Sequence, residues 1–259
     1  MAAYLDGVGV LVTRPAEQAQ SLAHDIRLHR GVPTVFPGVR IEAVAPSKPR
    51  ALPQRLSDID LMIFISPTSV RYGVPALFGR YGQLTQARVA AVGQSTAAEL
   101  EKHGFSEIVA PSGAGGAQAL IACEELKQIS GLTVLIVRGE GGSDQLETVL
   151  RDRGAVVRLF ECYRRCLPDA PFGEIEPLLR NGRIGAWIAT SGEILDNLFS
   201  LAAEHGELLR ATPLFVNHSH VATQAFSRSV KVIFVTAGGD KGIVSGLLTW
   251  FGRLRNSVS

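Results

Sequence analysis

The chain has little of what a metal, a membrane or a nucleic acid requires. Its three cysteines, Cys123, Cys162 and Cys166, are an odd number and lack the two-residue spacing of redox or zinc motifs. On one extended strand Cys162 and Cys166 would lie roughly 13 Å apart, beyond a disulfide's reach, so all three read as reduced thiols of a reducing compartment. No apolar run approaches the roughly 20 residues that span a bilayer. The start MAAYLDGVGV has no basic segment followed by an apolar one, which points to a cytoplasmic protein with no membrane partner. Charge is balanced, 26 Lys and Arg against 24 Asp and Glu, without a block of either sign, so a nucleic-acid partner is not expected. Only two of the six histidines, His218 and His220, fall at an expected strand end, and no Cys, Asp or Glu joins them in a ligand pattern. RGEGGSD at 138–144 has neither GxGxxG order nor the lysine of a Walker loop, which disfavours a nucleotide. Ser191 in TSG is not framed as GxSxG and has no evident base, so a nucleophilic triad fails as well. No cofactor and no metal are expected.

What is present is a core-forming composition, 46% hydrophobic and 19% charged over 259 residues, enough for one large or two modest domains. Three segments recur at an offset of about 125 residues. VLVTRP at 10–15 answers VLIVRG at 134–139, FISPTSV at 64–70 answers IATSGEI at 188–194, and RVAAVGQSTA at 88–97 answers TPLFVNHSHVA at 212–222. Continuous Val, Ile, Leu and Phe runs suit strands covered on both faces. Ten are expected, five per copy: 9–13, 32–36, 61–66, 88–93, 107–111, 133–138, 155–160, 185–190, 213–217 and 231–236. Amphipathic stretches between them supply right-handed crossovers, giving two α/β domains of parallel sheet flanked by helices. In the first crossover, Pro15 is expected at the first helical position, Ala19, Leu22, Ala23 and Ile26 share one face of a helix over 16–30, and Gly31 closes it.

The repeat alone suggests a cut near 129–131. Proline suggests otherwise: 37–55, with Pro37, Pro46, Pro49 and Pro53, and 166–173, with Pro168 and Pro171, read as the linkers. They fall after the second strand of each copy, as expected if the chain leaves one domain, builds the other and returns. Two such domains face one another across a cleft in this reading, with binding sites at the carboxyl ends of the strands.

Four strand-end loops repeat one device: Ser66, Pro67, Thr68, Ser69; Gly93, Gln94, Ser95, Thr96; Thr190, Ser191, Gly192; and Asn217, His218, Ser219, His220. Each precedes a helix, where hydroxyls cap the first turn and free backbone N–H groups offer a seat for carboxylates. Plain capping is the alternative for any single loop. Arg14 and Arg138 follow the first strand of each copy, where a guanidinium could fork a carboxylate or serve in an internal ion pair. Tyr163, in LFECYRR, falls where the chain would cross between domains, either a phenolic donor or a half-buried aromatic with a wet hydroxyl.

Taken together, the order and spacing of these motifs resemble the uroporphyrinogen-III synthase family. The resemblance is carried by VLVTRP, by D-x-x-x-F-x-S-P-x-x-V as Asp60 to Val70, and by AVGQSTAAEL-x-x-x-G at 91–104. It continues in VRGEGG with L-x-x-x-L-x-x-x-G at 137–154, in Tyr163 with Arg164, and in TSGEIL at 190–195. It implies two flavodoxin-like domains joined by a two-stranded β-ladder. Domain 1 would be discontinuous (1–37 and 166–259) and domain 2 would span 41–160, with crossings at about 37–41 and 160–166. It implies hydroxymethylbilane as substrate, an open tetrapyrrole with eight carboxylates held mainly by backbone N–H and hydroxyl groups, and functional coupling to hydroxymethylbilane synthase. The implied reaction loses the terminal hydroxyl from ring A. Ring D then attacks at its substituted carbon through a spiro intermediate and recloses inverted. Tyr163 matches the family's tyrosine proposed to assist hydroxyl loss, Thr96 and Ser191 match polar positions lining its cleft, and Gly139 falls within the VRGEGG match. Ile65, Ser143 and His220 depart from the pattern, with His220 a replacement carboxylate donor. A catalytically inactive binding module of the same fold stands as the alternative.

Overall fold

A computed structural model describes residues 5–44, 55–82, 87–113 and 115–256; Pro46, Pro49 and Pro53 of the expected linker lie outside these residues. The chain divides into two compact units, Met1–Arg40 with Cys166–Ser259, and Ile41–Arg165. Unit 1 opens with β1 (Gly9–Val12), α1 (Ala16–Leu28) and β2 (Val32–Val35). β3 (Arg40–Ala43) carries the chain into unit 2, which continues with β4 (Leu61–Phe64), α2 (Pro67–Tyr81), β5 (Arg88–Ala91) and α3 (Gln94–Lys102). There follow β6 (Ile108–Val109), α4 (Ala117–Ile121), β7 (Thr133–Gly139), α5 (Gln145–Asp152) and β8 (Val156–Cys166). Unit 1 is then completed by α6 (Glu176–Arg180), β9 (Ala186–Ile188), α7 (Gly192–Ala202) and α8 (Gly206–Ala211). Its last elements are β10 (Leu214–Val216), α9 (Ser219–Ser227), β11 (Ile233–Val235) and α10 (Gly239–Asn256).

The unit 1 sheet has the order β11-β10-β9-β1-β2 and the unit 2 sheet β3-β8-β7-β4-β5-β6. All four pairings in unit 1 are parallel, as are those linking β8, β7, β4, β5 and β6. Apart from β3 the two orders trace one path, so β1 and β7 take matched places, as do β9 and β4, and β10 and β5. The unit 1 sheet combines two strands from the first half of the chain with three from the second, and the unit 2 sheet four from the first half with two from the second. A cut at 129–131 would therefore split unit 2 between β6 and β7.

Burial explains the unbroken hydrophobic runs. Along β4 and β7, Met62, Phe64, Leu135 and Val137 pack under Val70, Val74 and Leu77 of α2 and Leu100 of α3. The alternate residues Leu61, Ile63, Val134 and Ile136 turn to the other face, against Leu120 of α4 and Leu146 and Leu150 of α5. In unit 1, Val10, Val12, Ile188 and Phe215 lie with Leu22 and Ile26 of α1 and Ile243 and Leu247 of α10.

Three expectations need correction. Residues 40–43, assigned to a connection, form β3, and β8 runs on to Cys166. β8 pairs with β7 as well as with β3, so β3 is the sixth strand of the unit 2 sheet, fastened by the Val44 N–H donating to the Cys162 carbonyl (3.0 Å) and by the Arg164 Nε to Glu42 Oε2 pair (2.9 Å). Pro15 is the N-cap of α1, not its first residue, and the left-handed residue after α1 is Arg30 (φ 65°). Gly31 is required by crowding instead, since a Cβ there would sit 2.7 Å from Ile26 Cγ2.

α2 and α3 are tied by a charge cluster. Arg71 Nε donates to Glu99 Oε1 (2.8 Å) and Lys102 Nζ to Glu99 Oε2 (3.0 Å). The hydrogen bond from Arg71 above all, opposed by burial and aided by Lys102, holds the Glu99 carboxyl well below its ordinary value, at about 2. A depressed folded value means that the contribution is complete above the unfolded value of 4.5 and is lost as pH falls towards 2. Glu99→Gln should therefore lower stability at pH 7 by on the order of 2–3 kcal/mol and flatten the fall in unfolding free energy between about pH 5 and pH 2. Urea titrations across that range check it; parallel wild-type and variant slopes would contradict the account.

Candidate functional site

Because the strands of each sheet run parallel, their carboxyl ends gather at one edge. On unit 1 the adjacent strands β10, β9 and β1 deliver Asn217, Thr190 with Ser191, and Arg14 to that edge. On unit 2 the strands β5, β4, β7 and β8 deliver Gly93 to Thr96, Ser66 to Ser69, Arg138 with Gly139, and Tyr163. The site residues expected from sequence thus fall into two groups, one per unit.

The unit 2 group is built around Tyr163. β7 and β8 slip in register between Arg138 and Gly139, so that Arg138 faces Glu161 and Gly139 faces Tyr163, leaving Cys162 as the extra residue of a bulge. The bulge breaks the strand's alternation and turns both Cys162 and Tyr163 into the same core cluster. Tyr163 is accordingly buried, at 2% exposure, rather than half-buried with a wet hydroxyl. Its ring lies flat on Gly139, where an added Cβ would meet ring carbons at 2.6 Å. Its carbonyl accepts the Glu140 N–H (2.8 Å), and Tyr72 packs beside it with ring centroids 6.0 Å apart. The guanidinium carbon of Arg165 stands 5.9 Å from the ring centroid.

Tyr163 Oη lies 3.3 Å from Ser66 Oγ. Ser66 is the N-cap of α2 in a reciprocal capping box: the Ser69 N–H donates to Ser66 Oγ (3.0 Å) and the Ser66 N–H to Ser69 Oγ (3.1 Å). Ser69 is fully buried and Thr68 nearly so, which assigns Ser69 to capping. In the next loop Gly93, extended, is the N-cap of α3 without a side-chain cap. Gln94 donates to the Pro111 carbonyl (3.0 Å), Thr96 is buried and Ser95 is exposed.

Arg138 is not an open fork. It is 4% exposed, and its Nε donates to the Gly139 carbonyl (3.3 Å), Nη1 to Asp144 Oδ1 (3.2 Å) and Nη2 to the Gly141 carbonyl. The guanidinium organises the glycine loop from beneath, so any effect on a ligand passes through that loop. Arg14 is ion-paired with Asp240 at the start of α10. Both arginines therefore take the internal-pair alternative. Ser143 accepts from the Gln145 N–H (3.2 Å) and opens α5.

On unit 1, Ser191 Oγ caps α7 by accepting from the Ile194 N–H (3.3 Å). Gly192 lies under Gln224, whose Nε2 donates to the Gly192 carbonyl (3.4 Å) and to Asp196 Oδ2 (2.8 Å). Asn217 Oδ1 is enclosed with no hydrogen-bond partner among the described residues. His218, Ser219 and His220 are exposed, the two imidazoles stacked 5.5 Å apart. Among the described residues no group of three or more His, Cys, Asp or Glu could hold a metal. No helix among them is long and apolar enough to cross a membrane.

Sequence reading missed Asp240, Asp144, Tyr72 and Gln224, all partners rather than site residues. The only available signal was charge for the first two. Cys162, under the bulge, donates to the carbonyls of Arg138 (3.4 Å) and Ser69 (3.7 Å), and burial pushes its thiol up to about 12, which makes it a packing residue and not a nucleophile.

A family model described as Uroporphyrinogen-III synthase HemD matches residues 20–238. Uroporphyrinogen-III synthase of Salmonella typhimurium is 31% identical over 236 residues, covering 87% of this chain and 94% of its own length. That of Escherichia coli is 28% identical over 201 residues, covering 75% and 80%. The solved uroporphyrinogen-III synthetase of Helicobacter pylori shares the fold with a TM-score of 0.60 at 12% identity, over 94% of this chain and 99% of that one. The chain belongs to the uroporphyrinogen-III synthase family.

Gly139→Ala tests the Tyr163 packing. The new methyl must displace the ring or the bulge, so the variant should lose about 1–3 kcal/mol in urea unfolding, the usual range for overpacking. An unchanged midpoint would show that the ring does not depend on that approach.

Proposed function

We propose that this protein closes hydroxymethylbilane to uroporphyrinogen III with inversion of ring D, without metal or cofactor. The observation that carries the reading is the family match, which runs through both units from residue 20 to 238. The relatives it aligns with are synthases, which favours the enzyme over an inactive binding module.

The open bilane closes unaided to the uninverted isomer, so catalysis consists in binding a conformation that favours the spiro route and excluding the direct closure. The capped strand-end loops suit that task. N–H groups at the starts of α3, α7 and α9, with the hydroxyls of Thr68, Ser95, Thr190, Ser191 and Ser219, receive the carboxylates. Gln94 and His220 add donors, Arg14 ties the end of β1 to Asp240, and Arg138 holds the loop from Gly139 to Asp144 in shape. Tyr163 supplies the proton that leaves with the ring A hydroxyl. Because the substrate closes by itself within its lifetime, the reaction belongs beside the hydroxymethylbilane synthase that produces it, in the cytoplasm.

Purified protein given hydroxymethylbilane should yield uroporphyrinogen III with no added metal or nucleotide, read by chromatography of the oxidised isomers. Isomer I alone, at the protein-free rate, would refute the function. Tyr163→Phe should lower kcat roughly tenfold to a thousandfold, the range of one proton donor or less, with KM little changed. Full turnover in that variant would reduce the tyrosine to packing and leave catalysis to the loops.

A further inference from the structure

We infer that Ser66 is a positioning residue that acts on the reaction through Tyr163, not by gripping substrate. The inference rests on the synthase reading above and assigns Ser66 a task within it.

Three observations lead there. First, Ser66 Oγ is committed: it accepts the Ser69 N–H at 3.0 Å, and the same serine's N–H and carbonyl are both bonded to Ser69 Oγ, at 3.1 and 2.7 Å. The hydroxyl is fixed in place by the first turn of α2, whose axis is anchored by close packing, since a Cβ at Gly73 would lie 2.4 Å from Val137 Cγ1 of β7. Second, with one lone pair used on Ser69, Ser66 Oγ retains its proton and one further lone pair. The group within reach of these is Tyr163 Oη at 3.3 Å. Third, the Tyr163 ring is packed against Gly139 and Tyr72 and aimed by the bulge in its own strand. A phenol held this firmly presents one oxygen position, and Ser66 fixes which way its hydroxyl proton points.

The chemistry follows from the donor count. When Ser66 donates to Tyr163 Oη, the phenolic proton is free to point away, at the departing oxygen. The ring A carbon–oxygen bond then breaks with its electron pair on oxygen, that oxygen takes the Tyr163 proton, and water leaves. The phenolate left behind keeps the Ser66 O–H as a donor from a prearranged position, so the hydrogen bond strengthens as charge develops. The substrate proton released after ring closure returns to the phenolate, which restores the tyrosine. Ser66 thus acts in the transition state. A carboxylate grip would act equally in the ground state and appear in KM.

The test is a double-mutant cycle on the full chain, with isomer-resolved kinetics and thermal melts. Glycine is nearly as good an N-cap as serine, so Ser66→Gly removes the hydroxyl while largely sparing α2, and Ser66→Thr retains a hydroxyl that caps. Ser66→Gly should lower kcat about three- to thirtyfold with KM within about twofold, and Ser66→Thr should recover most of the loss. In the Tyr163→Phe background, Ser66→Gly should bring no further fall in kcat, because its effect has no oxygen to act on. An equal further fall in that background, a loss expressed in KM, or failure of Ser66→Thr to recover turnover would each overturn the proposal. A wild-type protein that forms only isomer I refutes the synthase reading instead, so the two failures are distinct.

Discussion

Everything in this protein follows from parallel strands buried on both faces. A parallel pair cannot be closed by a tight turn, so each strand requires a crossover, and the crossovers put helices over both faces of the sheet. The central strands β1, β4, β7, β9 and β10 are buried along their length for that reason. The same constraint sends each of them into a loop at one edge, and most of those loops open a helix. An edge made of helix starts is thereby a product of the sheet. At α2 and α7 a serine, Ser66 or Ser191, satisfies an N–H group that would otherwise be orphaned.

Within that frame the chemistry is concentrated by one irregularity. The bulge at Cys162 aims two successive residues of β8 into one core, and it sets Tyr163 on Gly139 beside Ser66. The burial that removes Tyr163 from bulk water also fixes its oxygen against a single hydroxyl. Arg138, one residue before the register shift, spends its donors on the loop that follows. Charge at this edge is mostly internal, as in Arg14 with Asp240, so in the proposed reading recognition of a polycarboxylate rests on backbone dipoles more than on free arginines.

All ten strands expected from hydrophobic runs are present; in the central ones burial on both faces leaves an unbroken apolar signature that needs no partner to be read, and the edge strands β2, β6 and β11, though partly exposed, keep enough apolar residues to be seen. The eleventh, β3, was hidden for the converse reason. It lies at a sheet edge, and Arg40 and Glu42 give it a half-polar pattern that resembles a connection. The helix start at Pro15 and stop at Arg30 were misread by a residue, since capping geometry depends on φ and ψ that composition does not fix. Ser66, Gly139 and Tyr163 were each visible as polar or glycine positions at strand ends. Their contact was not: Ser66 and Tyr163 are 97 residues apart, and a one-residue bulge decides which way the tyrosine points. Arg14 looked like a free fork because its acidic partner Asp240 is 226 residues away, and Arg138 because the fold of the glycine loop that brings Asp144 back to it is set by φ and ψ and not by composition.

The central claim of the proposed reading is that ligand is received by backbone groups at the carboxyl ends of the parallel strands. Amide hydrogen exchange on the full chain, with and without saturating uroporphyrinogen III, addresses it at residue level. The account predicts slower exchange at residues 66–69, 93–96 and 139–144 of unit 2 and at 190–192 and 217–220 of unit 1, with the strand interiors unchanged. Protection confined to one unit, or located at the amino ends of the strands, would contradict it.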